Sequence, residues 1–133
     1  MVKLISKEEI FSKKGLDPKT VYVAEWGGEV LYKPMSMVER REIRKKCSTI
    51  TVNQNGENSI ELDAEKMEVM SVIYCVLDPK DEAKKKLMFN PDDANILEEQ
   101  MCAGGISTVA QAIFKDSGLT GTAVFRGEKK TES

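Results

Sequence analysis

Histidine is absent from this chain. Its absence removes the commonest general base near neutral pH, and with it the Ser–His and Cys–His nucleophile pairs and imidazole metal sites. Cysteine is sparse. Cys47, Cys75 and Cys102 lie 28 and 27 residues apart, form no C-x-x-C and, being odd in number, cannot all pair within the chain. A reducing compartment is the simpler reading, with Cys75 and Cys102, set among apolar residues, acting as small hydrophobes. Long apolar runs are missing too: the longest, residues 72–77, falls far short of the roughly 20 residues a bilayer span needs. The opening residues, with Lys3, Lys7, Glu8 and Glu9, contain no apolar h-region, so no signal peptide is expected. The phosphate-binding patterns G-x-x-x-x-G-K-[ST] and G-x-G-x-x-G and the nucleophile elbow G-x-S-x-G do not occur.

What is present is the composition of one globular domain. At 133 residues, with 41% hydrophobic and 32% charged side chains, the chain is long enough to bury a core without a disulfide or a metal. Charge is unevenly spread. Through Cys47 there are 11 Lys/Arg against 7 Asp/Glu, and from Ser48 onward 9 against 15. Solvated faces account for this split, and it also permits like subunits to meet head to tail.

Residues 1–20 read as a partly ordered segment with an apolar patch at Leu4, Ile5, Ile10 and Phe11. Ser6 and Glu9 have the spacing of a capping box for a short helix. Val21 to Trp26 and Glu29 to Lys33 read as two strands around a Gly27-Gly28 turn, which pairs Trp26 with Glu29, Ala24 with Leu31 and Tyr22 with Lys33. Ser36 and Glu39 form a second capping box, opening a helix to about Lys46 whose terminal cations suit the helix dipole. Residues 48–60, with Asn55-Gly56, read as a surface loop or a small second hairpin. From an Asp63 cap, Met67, Met70, Ile73, Tyr74 and Leu77 recur at helical spacing and define a central core helix stopped by Asp78-Pro79. Asn90-Pro91-Asp92-Asp93 opens another helix, with Ile96, Leu97 and Met101 on its buried face and Gly104-Gly105 as its breaker. A last helix spans about 106–117 and stops at Gly118-Leu119 in Schellman fashion, and residues 120–133 read as a flexible tail. The fold class expected is α+β: a predominantly helical small domain of about four helices over residues 21–119, with an N-terminal antiparallel hairpin.

The chemical constellations are weak. Asn53, Asn55 and Gly56 match three positions of a calcium loop, but Thr51 and Leu62 stand where its terminal carboxylates belong. Asp92, Asp93, Glu98 and Glu99 are explained as helix-start acids and a solvated face. Arg40, Arg41, Arg44 and Lys45 make a basic strip, interrupted by Glu42, that leaves a small nucleic-acid-binding regulator using residues 37–46 as the alternative. No catalytic residue, metal site or cofactor is expected, and the chain reads as a binding protein. The candidate partner-binding residues are Tyr22 and Trp26 on the hairpin, since aromatics anchor interfaces, and whichever of Met67, Met70 and Met101 stay exposed.

The order of pieces resembles a known family. The hairpin with Trp26-Gly27-Gly28, the capped charged helix 36–46, the helix 62–77 ending in Val-Leu-Asp-Pro, the phrase Leu87-Met-Phe-Asn-Pro-Asp-Asp93 and the ending Ile113-Phe-Lys-Asp-Ser-Gly-Leu119 are similar to the tail assembly chaperones of long-tailed bacteriophages and prophages, of siphovirus and myovirus type. The resemblance covers residues 21–119 and no single piece is specific. It implies a non-enzymatic protein of the host bacterial cytoplasm, absent from the mature virion, that coats the tape-measure protein and keeps it soluble during tail morphogenesis. It also implies self-association and, in many relatives, a longer frameshifted form that recruits tail-tube protein. Lys129-Lys130 lies where a slippery adenine run could sit. The family's motifs are structural and transfer no catalytic residue.

Overall fold

The computed structural model describes residues 4–119, and the expected tail lies outside the described residues. The fold is α+β, with two antiparallel hairpins and five α-helices among the described residues. Helix α1 (Lys7–Ser12) precedes strands β1 (Lys19–Val23) and β2 (Gly28–Tyr32). Helix α2 (Met37–Cys47), strands β3 (Ser48–Val52) and β4 (Asn58–Leu62), helix α3 (Ala64–Cys75), helix α4 (Ala94–Gln100) and helix α5 (Ala103–Asp116) follow.

The centre is α3. Met67, Val69, Met70, Val72, Ile73 and Cys75 are all buried, and so is Ser71, whose hydroxyl donates to the Met67 carbonyl at 2.7 Å. A helix apolar on nearly every side must be covered on nearly every side. Helices α5, α2 and α4 pack against it, and the core gathers Ile43, Cys47, Leu97, Ile106, Val109, Ala110, Ile113 and Phe114 around it. The helix ends at Cys75, two residues before the expected Leu77. Val76 and Leu77 turn extended and lie beside β2: Leu77 N–H donates to the Leu31 carbonyl at 2.8 Å and Lys33 N–H to that of Cys75 at 3.0 Å. A further extended piece bonds on, with Met88 N–H donating to the Val76 carbonyl at 3.0 Å. The first hairpin is therefore the edge of a small four-piece sheet, which relieves the marginal stability of a lone hairpin.

The expected register of that hairpin is corrected. Tyr22 pairs with Glu29, Thr20 with Leu31 and Lys19 with Tyr32, and β1 begins at Lys19. Ala24–Trp26 leave the strand as a single 3-10 turn closed by Gly27, whose positive φ of 69° accepts the reversal, and Gly27 N–H donates to the Val23 carbonyl at 2.9 Å. The cause is tertiary: Trp26 swings onto α5. Its indole lies so close to Gly105 that a Cβ there would sit 2.7 Å from Cε2 and 2.9 Å from Nε1. Gly104-Gly105 therefore does not break a helix; both residues lie inside α5, and the turn falls at Met101 and Cys102.

Caps set the other boundaries. Ser6, Ser36 and Asn90 each form a reciprocal capping box, and Asp63 accepts from Lys66 N–H at 3.0 Å. Residues 48–62 form the second hairpin, with Asn53, Asn55 and Gly56 supplying its turn. At the far end of α5, Leu119 N–H donates to the Phe114 carbonyl at 2.8 Å and Gly118 N–H to that of Lys115 at 3.1 Å, the Schellman pair. The Tyr32 hydroxyl donates to the Asp116 carboxylate, and Ser117 Oγ accepts from Met35 N–H at 2.7 Å, tying this end of α5 to the strand that leads into α2. Burial, and then Asp116, push the Tyr32 phenol up to about 12.

Two predictions follow from this packing. Alanine usually stabilises a glycine site in a helix by about 1 kcal/mol, but Gly105→Ala drives a methyl into a rigid indole and is expected to destabilise by about 1–3 kcal/mol in urea unfolding. Gly104→Ala, which crowds only the carboxylate end of the flexible Glu25 side chain and touches Cys102 Sγ at an ordinary 4.0 Å, is expected to be neutral or stabilising. The fold favours neutral Tyr32, so that contribution is complete below pH 10 and is lost as pH rises toward 12. Tyr32→Phe is expected to cost about 1 kcal/mol at neutral pH and to remove that part of the alkaline loss, read by unfolding across the same pH range.

Candidate functional site

Helix α4 holds to the body through one buried side chain, Leu97, and is open on both flanks. Its start is set by Asn90, whose side chain accepts from Asp92 N–H at 3.1 Å, and by Asp93, which accepts from Asn90 N–H at 2.9 Å. Pro91 needs no donor at this position. The seven residues that follow make two turns, too short to cover the side of α3 and α5 fully.

On one flank is a groove of about 350 Å³ whose lining, Trp26, Val30, Val76, Met88, Phe89, Ile96, Leu97 and Met101, is apolar apart from Asp93. Each wall has a local origin. The 3-10 turn after β1 presents Trp26, β2 presents Val30, and the extended piece bonded to Val76 carries Met88 and Phe89. Ile96 comes from α4 and Met101 from the turn that follows it, and they remain 48% and 38% exposed. The indole Nε1–H is buried with no acceptor among the described residues, so Trp26 is held by shape rather than by a hydrogen bond.

The other flank is a wider open cleft of about 850 Å³ between α3, α4 and the start of α5. Its character is acidic: Asp63, Glu65, Glu68 and Glu98 face Lys66 as the one cation among its lining residues. Glu68 is fixed by Ser107 Oγ at 2.7 Å and Gln111 Nε2 at 3.2 Å, which tie α3 to α5. The two hollows share Leu97 and Met101. Together they form one surface, apolar on one side of α4 and negative on the other.

Of the five candidate residues, the structure brings Trp26 and Met101 into this surface. Tyr22 is exposed on the hairpin but does not line the groove. Met67 and Met70 are buried core residues, which removes them as partner contacts: α3 is covered by its neighbours on the faces that carry them. Ile96 and Met101 are corrected in the other direction, since of the expected buried face only Leu97 is inside. Val30 and Phe89 carried no signal in the sequence, because β2 and residues 87–89 are far apart in the chain. The basic strip is divided: Arg41, Lys45 and Lys46 are exposed, Arg40 and Arg44 are half-buried, and the Lys46 ammonium sits 5.4 Å from the Tyr74 ring centre.

No group of three or more cysteine, aspartate or glutamate side chains among the described residues is placed to hold a metal ion, and no described helix is long and apolar enough to cross a membrane. No family model, curated protein or solved structure matches the chain.

Cys102 corrects a further expectation, because it is exposed beside Met101 while Cys47 and Cys75 are buried. Burial pushes the Cys47 thiol up to about 11 and the Cys75 thiol up to about 12, which leaves little thiolate at neutral pH. A thiol-reactive chromophore at pH 8 is expected to label Cys102 promptly and Cys47 and Cys75 only on unfolding; prompt labelling of all three would mean that the core opens readily.

Proposed function

We propose that this chain is a non-enzymatic tail assembly chaperone of the long-tailed bacteriophage kind, binding the tape-measure protein and keeping it soluble during tail morphogenesis in the host cytoplasm. The observation that carries the reading is the surface around α4: an open apolar groove beside an acidic cleft. Such a pair fits an amphipathic helix whose apolar stripe enters the groove at i, i+3 or i+4 and i+7 and whose cationic flank faces the cleft. A very long helix-rich protein presents that pattern many times over, and a small protein produced in many copies covers each repeat by the same contact. Trp26, backed by Gly105, provides a rigid aromatic floor, and Met88 and Met101 provide walls that adapt to different side chains. A longer frameshifted form that also engages tail-tube protein belongs to the same reading.

The test is co-expression with the long protein encoded just downstream, reading how much of it stays soluble and co-purifies with this chain. Paired substitutions Ile96→Asp and Met101→Asp change exposed side chains, so circular dichroism and melting are expected to hold while affinity falls about 10- to 100-fold. Binding is also expected to shift the emission of Trp26, the only tryptophan of the chain. Retained affinity in the double variant would exclude the groove. Salt-sensitive binding to duplex DNA, lost on reversing Arg41 and Lys45, would instead favour a nucleic-acid-binding regulator.

A further inference from the structure

The described residues carry a second apolar surface in water, at helix α1 and the residues just before it. Helix α1 buries none of its residues: Ile10 is 56% exposed and Phe11 65%, and Leu4 and Ile5 just before the helix are exposed as well. Six residues are too few for a helix to persist in water through propensity alone, even with the capping box at Ser6 and Glu9. Such a helix calls for a hydrophobic seat. The groove beside α4 is such a seat, and the charges around the two are complementary. Residues 89–101 carry Asp92, Asp93, Glu98 and Glu99 and no cation. Residues 7–14 carry Lys7 at the start of α1 and Lys13-Lys14 directly after it against Glu8 and Glu9, three lysines to two acids, and Glu9 is folded back onto the Ser6 cap.

We propose that α1 of one copy docks, apolar face inward, in the Trp26–Met101 groove of a second copy, which returns its own α1 to the first. A reciprocal exchange is a two-fold arrangement that closes with two equal contacts and leaves neither apolar surface in water. The connection allows it. Residues 13–18 are exposed throughout and, when extended, reach about 20 Å. The consequence is regulatory: in the free protein the groove holds a helix of the same chemistry as the proposed client, and a client helix enters by displacing it. The inference shares the groove with the proposed function but needs no tape-measure protein.

The purified full-length chain by itself provides the test. Light scattering across micromolar concentrations is expected to give a dimer, and the double variant Ile10→Glu, Phe11→Glu, altering side chains that touch no core, is expected to weaken it about 100-fold. Two differently tagged forms in a Cys102→Ser background, one Phe11→Cys and the other Ile96→Cys, are expected to form a disulfide between unlike tags on mild oxidation. A monomer at every concentration, or a dimer unchanged by the double variant, overturns the proposal. So does a chain bearing both new cysteines that oxidises only within itself, which would place α1 in its own groove. Since no client is present, failure here leaves the co-expression result to stand on its own.

Discussion

Helix α3 has almost no face to offer water, and the rest of the fold is arranged around that constraint. From Met67 to Cys75 its side chains are apolar or small apart from Glu68, and every neighbour exists to cover some part of it. Helices α2 and α5 are long enough to cover their shares. The first hairpin covers the C-terminal end by taking residues 76–77 into its sheet. Helix α4, at seven residues, is not long enough, and the open surface on either side of it follows directly. The candidate site is therefore the part of the core that the described residues leave uncovered.

One contact turns that deficit into a defined surface. Trp26 lies on the bare backbone of Gly105, which joins the hairpin turn to the start of α5 and gives the groove a floor that cannot easily shift. The same contact bends β1 into a 3-10 turn and moves the register of the hairpin. A strand ladder could have run on to Trp26, but burying an indole against a helix outweighs two more pairs on an exposed ribbon. Charge then gives the surface a direction, with carboxylates around α4 and lysines around α1 at the other end of the described chain. The surface so formed offers apolar area on one side and negative charge on the other.

The candidate site was only partly legible before the fold. Trp26 stood out because aromatics anchor interfaces, and Met101 for the softness of its side chain. Met67 and Met70 stood out for the same softness of side chain and proved to be core, since periodicity marks an apolar residue without saying whether a neighbour covers it. Val30 and Phe89 gave no signal, because the walls of a groove assembled from β2, residues 87–89 and α4 are distant in the chain. Gly104-Gly105 misled for a related reason: two glycines suggest a corner when they are judged locally, yet an aromatic ring from 79 residues earlier made small residues necessary inside a helix.

Local chemistry determined the parts that depend on neighbours in sequence. Ser6 with Glu9, Ser36 with Glu39, Asp63, Asn90-Pro91 and Gly118-Leu119 each placed a helix end, because a cap is completed by groups within five residues of one another. The absence of histidine and of paired cysteines narrowed the chemistry on composition alone. Tertiary structure alone decided the hairpin register, the true start of α5, the exposure of Cys102 and the opening beside α4. Each of these turns on which distant side chain arrives to cover an apolar surface, and that competition for burial is settled only when the whole chain has folded.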